Sequence, residues 1–297
     1  MKAFVNILLA LLLVMAMVQS VTGASAPIKG HLVIIGGGDR TDDIMKRFID
    51  LAGGPDKARI IVIPMASSTP DTTGMEQTAE LKDRGVKNVE WILFNREEAA
   101  TEKLVERFNG ATGIFFSGGD QARLTAIIVG TRIQRKLHDL YRNGAVIGGT
   151  SAGAAIMSKV MITGDELINK DTTNIFSSIM KGNVQTIEGI GFLDNVIIDQ
   201  HFVVRKRLNR LISVVLEHPE LPGIGIDEST AIVVNPSGGF EVIGAGTVVV
   251  LDARNAKNIH LDSYGHLAGQ NVKMDILSAG EKFDPKTRPP MLLEAAP

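Results

Sequence analysis

The sequence contains no cysteine. That excludes disulfides, thiolate zinc sites, iron–sulfur clusters and a cysteine nucleophile. It also lacks an excess of either charge. Across 297 residues, 31 Lys and Arg face 33 Asp and Glu, for a formal net charge of −2. Such a balance argues against a basic nucleic-acid binder. There is no H-E-x-x-H zinc motif and no internal repeat. Apolar residues are plentiful: 44% of the chain is hydrophobic and 22% charged, which excludes general disorder. Mean hydropathy is +0.14, high for a soluble protein, so the placement of the apolar residues matters.

Some of them lie at the start. Lys2 is the only charge before Lys29, and Ile7 to Val18 is an unbroken apolar run of 12 residues. Val21-Thr22-Gly23-Ala24 then offers small residues for a signal peptidase. A charged start, a short apolar run and a small-residue site predict a secretory signal peptide over 1–24, cut after Ala24. The run is shorter than the roughly 20 residues that a membrane span needs, which disfavours an uncleaved anchor. No cysteine follows it to carry a lipid, and no later stretch reads as a membrane helix. The expected mature chain, 25–297, is soluble, exported (periplasmic or extracellular) and without a stable membrane anchor.

The mature chain alternates short β-branched runs with amphipathic ones. Strands are predicted at Leu32–Ile35, Arg59–Ile63, Val89–Phe94, Gly113–Phe116, Ala145–Ile147 and Val196–Ile198. Helical segments are predicted at Asp42–Leu51, Met75–Arg84, Glu97–Phe108, Gln121–Val129, Arg132–Arg142 and Val203–Glu217. Near-continuous apolar strands separated by helices predict an α/β fold, a doubly wound and mostly parallel sheet covered on both faces. After Pro222 the pattern changes to Gly223–Ile226, Thr230–Val234, Gly239–Ile243 and Thr247–Leu251, with turn-length gaps. These read as an antiparallel extension of the same sheet, followed by a proline-containing tail, Glu281–Pro297. One α/β domain is expected, and its exposed edge strands leave room for a homodimer.

Open α/β sheets bind ligands beyond the carboxyl ends of their strands. One strand end reads Gly148-Gly149-Thr150-Ser151-Ala152-Gly153-Ala154-Ala155, with G-x-S-x-G at Gly149, Ser151 and Gly153. After an apolar strand and before an Ala-rich helix, this is a nucleophile elbow that lifts the Ser151 hydroxyl out of the sheet. Of six histidines, His201 alone follows a strand's carboxyl end, in Asp199-Gln200-His201-Phe202, and is the candidate general base. The orienting carboxylate stays open among Glu228, its neighbour Asp227, and the pair Asp165 and Glu166. Ser117-Gly118-Gly119-Asp120-Gln121 ends another strand on that rim, so the N–H groups of Gly119 and Ala152 are the candidate oxyanion hole. Gln121 is placed to read a substrate amide. Arg205, Lys206, Arg207 and Arg210 cluster on a helix expected to begin just after His201, and arginines fork onto carboxylates. With Asp199 and Gln200 beside them, the implied ligand carries both negative and positive groups. Ile35-Gly36-Gly37-Gly38-Asp39-Arg40-Thr41 lacks the third glycine of a dinucleotide loop.

Four motifs in this order, around Ser117–Gln121, Gly148–Ala155, Asp199–Phe202 and Gly223–Thr230, resemble the cyanophycinases, of the serine peptidase family that also contains dipeptidase E. The likeness runs from about Leu32 to Leu251. It implies a flavodoxin-like core akin to class I glutamine amidotransferases. It also implies an exopeptidase that cleaves cyanophycin, a poly-aspartate carrying arginine on each side chain, to β-aspartyl-arginine. Carried over from that pattern, the triad is Ser151, His201 and Glu228, and the substrate residues are Gln121, Asp199, Gln200, Arg205, Arg207 and Arg210. No cofactor or metal is implied. Asn169–Gly189 carries no matching motif and is expected to be a variable loop near the site. Two other readings compete: a related peptidase acting on aspartyl or isoaspartyl dipeptides, and an exported protein that binds a ligand without turnover.

Overall fold

The computed structural model describes residues 27–286, apart from 172, 174 and 175. The expected signal peptide and the last residues of the tail therefore lie outside the described residues. The first half runs β1 (His31–Ile35), α1 (Asp42–Leu51), β2 (Arg59–Ile63), α2 (Pro70–Asp83), β3 (Asn88–Trp91), α3 (Arg96–Ala99), α4 (Glu102–Arg107), β4 (Gly113–Phe116), α5 (Gln121–Ile128), α6 (Arg132–Arg142), β5 (Val146–Thr150) and α7 (Ala152–Ala155). The second half runs β6 (Val160–Glu166), β7 (Val184–Glu188), β8 (Ile197–Gln200), α8 (Leu208–Glu217), β9 (Gly223–Ile226), β10 (Thr230–Val234), β11 (Phe240–Gly244) and β12 (Val248–Asp252). It closes with β13 (Lys257–Leu261), β14 (Leu267–Gln270), β15 (Lys273–Leu277) and β16 (Lys282–Phe283).

The expected α/β class holds. Strands β1, β5, β4, β2 and β3 lie side by side and parallel, and β10, β11 and β16 extend the β1 edge antiparallel. The order β3-β2-β4-β5 is the flavodoxin-like 2-1-3-4 arrangement, with β1 in the fifth position. The apolar runs are long because both faces are covered: Leu32 to Ile35 and Ile60 to Ile63 are fully buried. On one face α1 buries Ile44, Met45, Phe48 and Ile49, each worth about 1.5–3 kcal/mol of apolar burial. Phe48 meets Phe115 edge-on with centroids 5.3 Å apart. On the other, α6 buries Ile133, Leu137 and Tyr141 at helical spacing.

Several details differ from the sequence reading. The strands after Pro222 do not all join the main sheet. β9 and β12 form a second sheet, in the order β15-β12-β9-β8. The chain crosses between sheets at Asp227–Ser229, from β9 to β10. The segment expected as one helix, Glu97–Phe108, is two, because the Thr101 hydroxyl accepts the Leu104 N–H and starts a new helix there. The expected variable loop carries part of a β6–β7 hairpin. β16 shows that the tail begins as ordered strand, paired to β11.

Candidate active site

The short α7 is pinned between the sheets, packing on β1, β4, β5 and β8. All four of its residues are buried, and all are alanine or glycine. That small-residue composition is a geometric need. A Cβ on Gly149 would sit 2.3 Å from the Gly153 carbonyl oxygen, and one on Gly153 would sit 2.5 Å from that of Phe116. Between these two glycines Ser151 takes φ 55° and ψ −111°, a conformation costing about 1–3 kcal/mol. The surrounding packing holds it there, as an elbow requires.

Ser151 Oγ lies 2.8 Å from His201 Nε2, and His201 Nδ1 lies 2.5 Å from Glu228 Oε1. Three elements from two sheets thus meet: the end of β5, the end of β8 and the β9–β10 crossing. Glu228 is therefore the carboxylate on the imidazole. Its neighbour Asp227 turns elsewhere, and its Oδ1 accepts the Val203 and Val204 N–H groups at 3.0 and 3.1 Å.

One turn ties the three together, and the sequence reading gave it no role here. At the end of β1, the Ile35 carbonyl accepts the Ser151 N–H at 3.0 Å. The Gly36 carbonyl accepts the His201 N–H at 2.7 Å, and the Gly37 carbonyl accepts the Ser229 N–H at 2.8 Å. Consecutive carbonyls thus hold the backbone at or next to each of Ser151, His201 and Glu228. The three-glycine run was its signal in the sequence.

His201 is buried, at 7% exposure, and takes a φ of 49°. Burial pushes its pKa below the usual histidine value. The Glu228 hydrogen bond pulls it back up, and the Arg205 and Arg207 charges push it down again, for a net lowering. The ring is therefore neutral at pH 7, with Nδ1–H donating to Glu228 and Nε2 accepting from the Ser151 hydroxyl. Gly118 lies beside Ser151, where a Cβ would be 3.3 Å from Ser151 Cβ. Gly119 follows at φ 134°.

The expected substrate residues divide. Asp199 and Arg210 are both buried and hold each other: Arg210 Nε donates to Asp199 Oδ2 at 2.9 Å, and Arg210 Nη2 donates to Asp199 Oδ1. Asp199 Oδ1 also accepts the Gln200 N–H at 2.8 Å. Asp199 therefore already holds the protein's own guanidinium, that of Arg210, as a buried carboxylate needs a partner. Arg207 donates to the Gln200 carbonyl at 2.7 Å, and Gln121 Nε2 donates to the Ile162 carbonyl at 3.0 Å. Gln200 Oε1 is buried with no partner among the described residues, and Arg205 is exposed. The helix carrying this cluster begins at Leu208, later than expected. Lys206 adopts φ 52°, and the chain from Val203 to Arg207 forms turns held by Asp227.

Among the other histidines, His138 is a packing residue. Its Nε2 is 2.9 Å from the Ile190 carbonyl, and its ring lies 4.9 Å from that of Phe192.

Comparison with known proteins identifies the family. The family model described as peptidase family S51 matches residues 32–242. A cyanophycinase of Synechococcus elongatus is 36% identical over 270 residues, spanning 87% of this chain and 80% of the relative. A cyanophycinase of Geminocystis herdmanii is 33% identical, spanning 89% and 97%. The crystal structure of a peptidase from an acI-B1 actinobacterium shares the fold at 22% identity. Its TM-score is 0.62, over 88% of this chain and 98% of that one. The chain belongs to peptidase family S51 and is a serine peptidase.

Proposed function

We propose that the protein is an exported exopeptidase that hydrolyses cyanophycin to β-aspartyl-arginine through an acyl-enzyme. The observation that carries the reading is the Ser151–His201–Glu228 hydrogen-bond chain, at 2.8 and 2.5 Å, in a chain 36% identical to a cyanophycinase.

His201 Nε2 takes the Ser151 proton as Oγ attacks the scissile carbonyl. Glu228 fixes the tautomer and stabilises the imidazolium. The N–H groups of Gly119 and Ala152 receive the developing oxyanion. His201 then protonates the departing nitrogen, water enters, and the same residues hydrolyse the acyl-enzyme. On the acyl side, Gln200 Oε1 is an uncommitted acceptor for a guanidinium or amide N–H, and Arg205 is an exposed cation for a carboxylate. Arg207, Gln121 and the Asp199–Arg210 pair shape that pocket. A polymer made inside cells and degraded outside them fits a scavenging role.

Purified protein is incubated with cyanophycin and, separately, with free β-aspartyl dipeptides, and the products are weighed by mass spectrometry. Release of β-aspartyl-arginine from the polymer is expected. Cleavage of free dipeptides alone would assign the related-peptidase activity, and release from neither would overturn both. Sequencing the N-terminus of exported protein tests the leader, with Ser25 expected first.

A further inference from the structure

A cavity of about 350 Å³ opens beside Ser151. Ser151 and His201 form part of its floor. Arg40, Glu76, Gln77 and Glu80 line its wall, while none of the six substrate residues carried over from the sequence borders it. Arg40 comes from the glycine-run segment, and the other three wall residues come from α2. We propose that this cavity is the leaving-group subsite, and that it takes a unit bearing a cationic, donor-rich side chain of the guanidinium type. The inference rests on Ser151 and His201 acting as proposed above.

Position is the first argument. The departing nitrogen takes its proton from His201 Nε2, so the leaving unit must lie on the histidine side of Ser151. This cavity is bordered by both residues, and its volume suits a ligand of one or two residues.

Charge is the second. Arg40 Nε donates to Glu80 Oε2 at 3.1 Å. Arg84 Nη1 lies 3.3 Å from Glu80 Oε1, and Arg84 Nη2 donates to Asp42 at 3.0 Å. The series Arg40, Glu80, Arg84, Asp42 alternates in sign and cancels. Glu76 is exposed on the cavity wall, outside that series, and leaves the wall net acidic.

The third argument is Gln77. It is only 6% exposed, yet its Oε1 has no partner among the described residues. A buried amide oxygen without a partner costs about 1–3 kcal/mol. A donor-rich ligand relieves that cost, and Glu76 beside it supplies the matching charge. Guanidinium offers five N–H donors and a fixed positive charge.

The test uses two synthetic substrates with the same acyl unit. Their leaving units carry either arginine or its neutral isostere citrulline. The wild type should prefer arginine in kcat/KM by about tenfold, as for a charge-assisted pair at a partly open site. In Glu76→Gln the preference should fall to within about twofold of unity. An equal preference in wild type and Glu76→Gln would overturn the subsite. A parallel arm titrates β-aspartyl-arginine and β-aspartyl-citrulline into Ser151→Ala protein by calorimetry, with and without Glu76→Gln. If the wild type cleaves neither substrate but the Glu76-dependent binding preference persists, the reaction is wrong, and the cavity binds a guanidinium unit that is not a leaving group. If cleavage proceeds and its preference ignores Glu76→Gln, the subsite is wrong and the reaction stands.

Discussion

Gly37→Ala is the sharpest test of how the site is held together. Gly37 has φ 124°, a conformation that side chains rarely adopt. A Cβ there would lie 2.2 Å from His201 Cε1 and 2.5 Å from Nε2. Carbon atoms in contact sit about 3.5–4.0 Å apart, so the ring or the turn must shift by more than about 1 Å. The imidazole has little room on its other side, because Nδ1 is held by Glu228 at 2.5 Å and its backbone N–H by Gly36. The shift therefore breaks the 2.8 Å bond to Ser151. A 1 Å misplacement in a reacting constellation costs on the order of 100-fold in rate. Complete loss of the base would cost on the order of 10⁴-fold or more. Backbone strain adds about 1–3 kcal/mol, which lowers Tm by roughly 2–10 °C in a chain of this size. The control is Gly54→Ala, at φ 80° with nothing within 4 Å of the added carbon, which carries strain without a collision. Both variants are measured by thermal melting and by covalent labelling of Ser151 with a fluorophosphonate, whose rate depends on the activated serine and not on the substrate. Gly37→Ala should melt somewhat lower and label at about 1% of the wild-type rate, while Gly54→Ala keeps its labelling rate. If Gly37→Ala labels within threefold of the wild type, the reasoning about the turn is refuted.

Removing the Arg205 charge should move the pH profile. Arg205 helps depress the His201 pKa, so Arg205→Gln lets that pKa rise, and the acidic limb of kcat/KM against pH should shift to higher pH. A limb that stays put or moves lower would contradict the electrostatic account. Glu228→Gln should lower kcat by about 10³–10⁴ with little change in melting. Asp227→Ala should retain most activity and lose about 1 kcal/mol of stability from its capped turn, read by urea unfolding. Arg210→Met strands the Asp199 carboxylate in the interior and should destabilise by about 3–5 kcal/mol. Adding Asp199→Asn should recover part of that loss, and a double variant no more stable than the single one would argue against the pairing.

Much of the parallel sheet was legible because its strands are buried on both faces. β2 and β4 stand where their β-branched and aromatic runs placed them, and α1 and α6 follow their helical apolar spacing without adjustment. The errors fall where partners come from far along the chain. β9 has the same apolar look as β10, and nothing local states that one joins the second sheet and the other the first. The early start given to α8 follows the same logic. Val203 to Arg207 have helical composition, but the Asp227 carboxylate takes the Val203 and Val204 N–H groups, and that residue lies some two dozen positions away. At the site, the pairing of Asp199 with Arg210 was not legible because a sequence displays charges without displaying their partners.

The sequence by itself singled out Ser151 as the candidate nucleophile. The absence of cysteine and the glycine spacing around Ser151 are local facts, and an elbow is a local structure. It also determined the order of the strand ends from which the other groups come. The tertiary structure alone decided which carboxylate meets His201. Asp227 and Glu228 are adjacent, and successive side chains of an extended chain point to opposite sides. The sequence therefore offers both, and only the crossing from one sheet to the other aims Glu228 at the imidazole and Asp227 at the turn behind it. The same holds for Gly36–Gly38. In the sequence they are an incomplete nucleotide loop. In the folded chain, the Gly36 and Gly37 carbonyls fall opposite the backbone of His201 and Ser229, because β1 lies between β5 and β10 and ends where the two sheets meet.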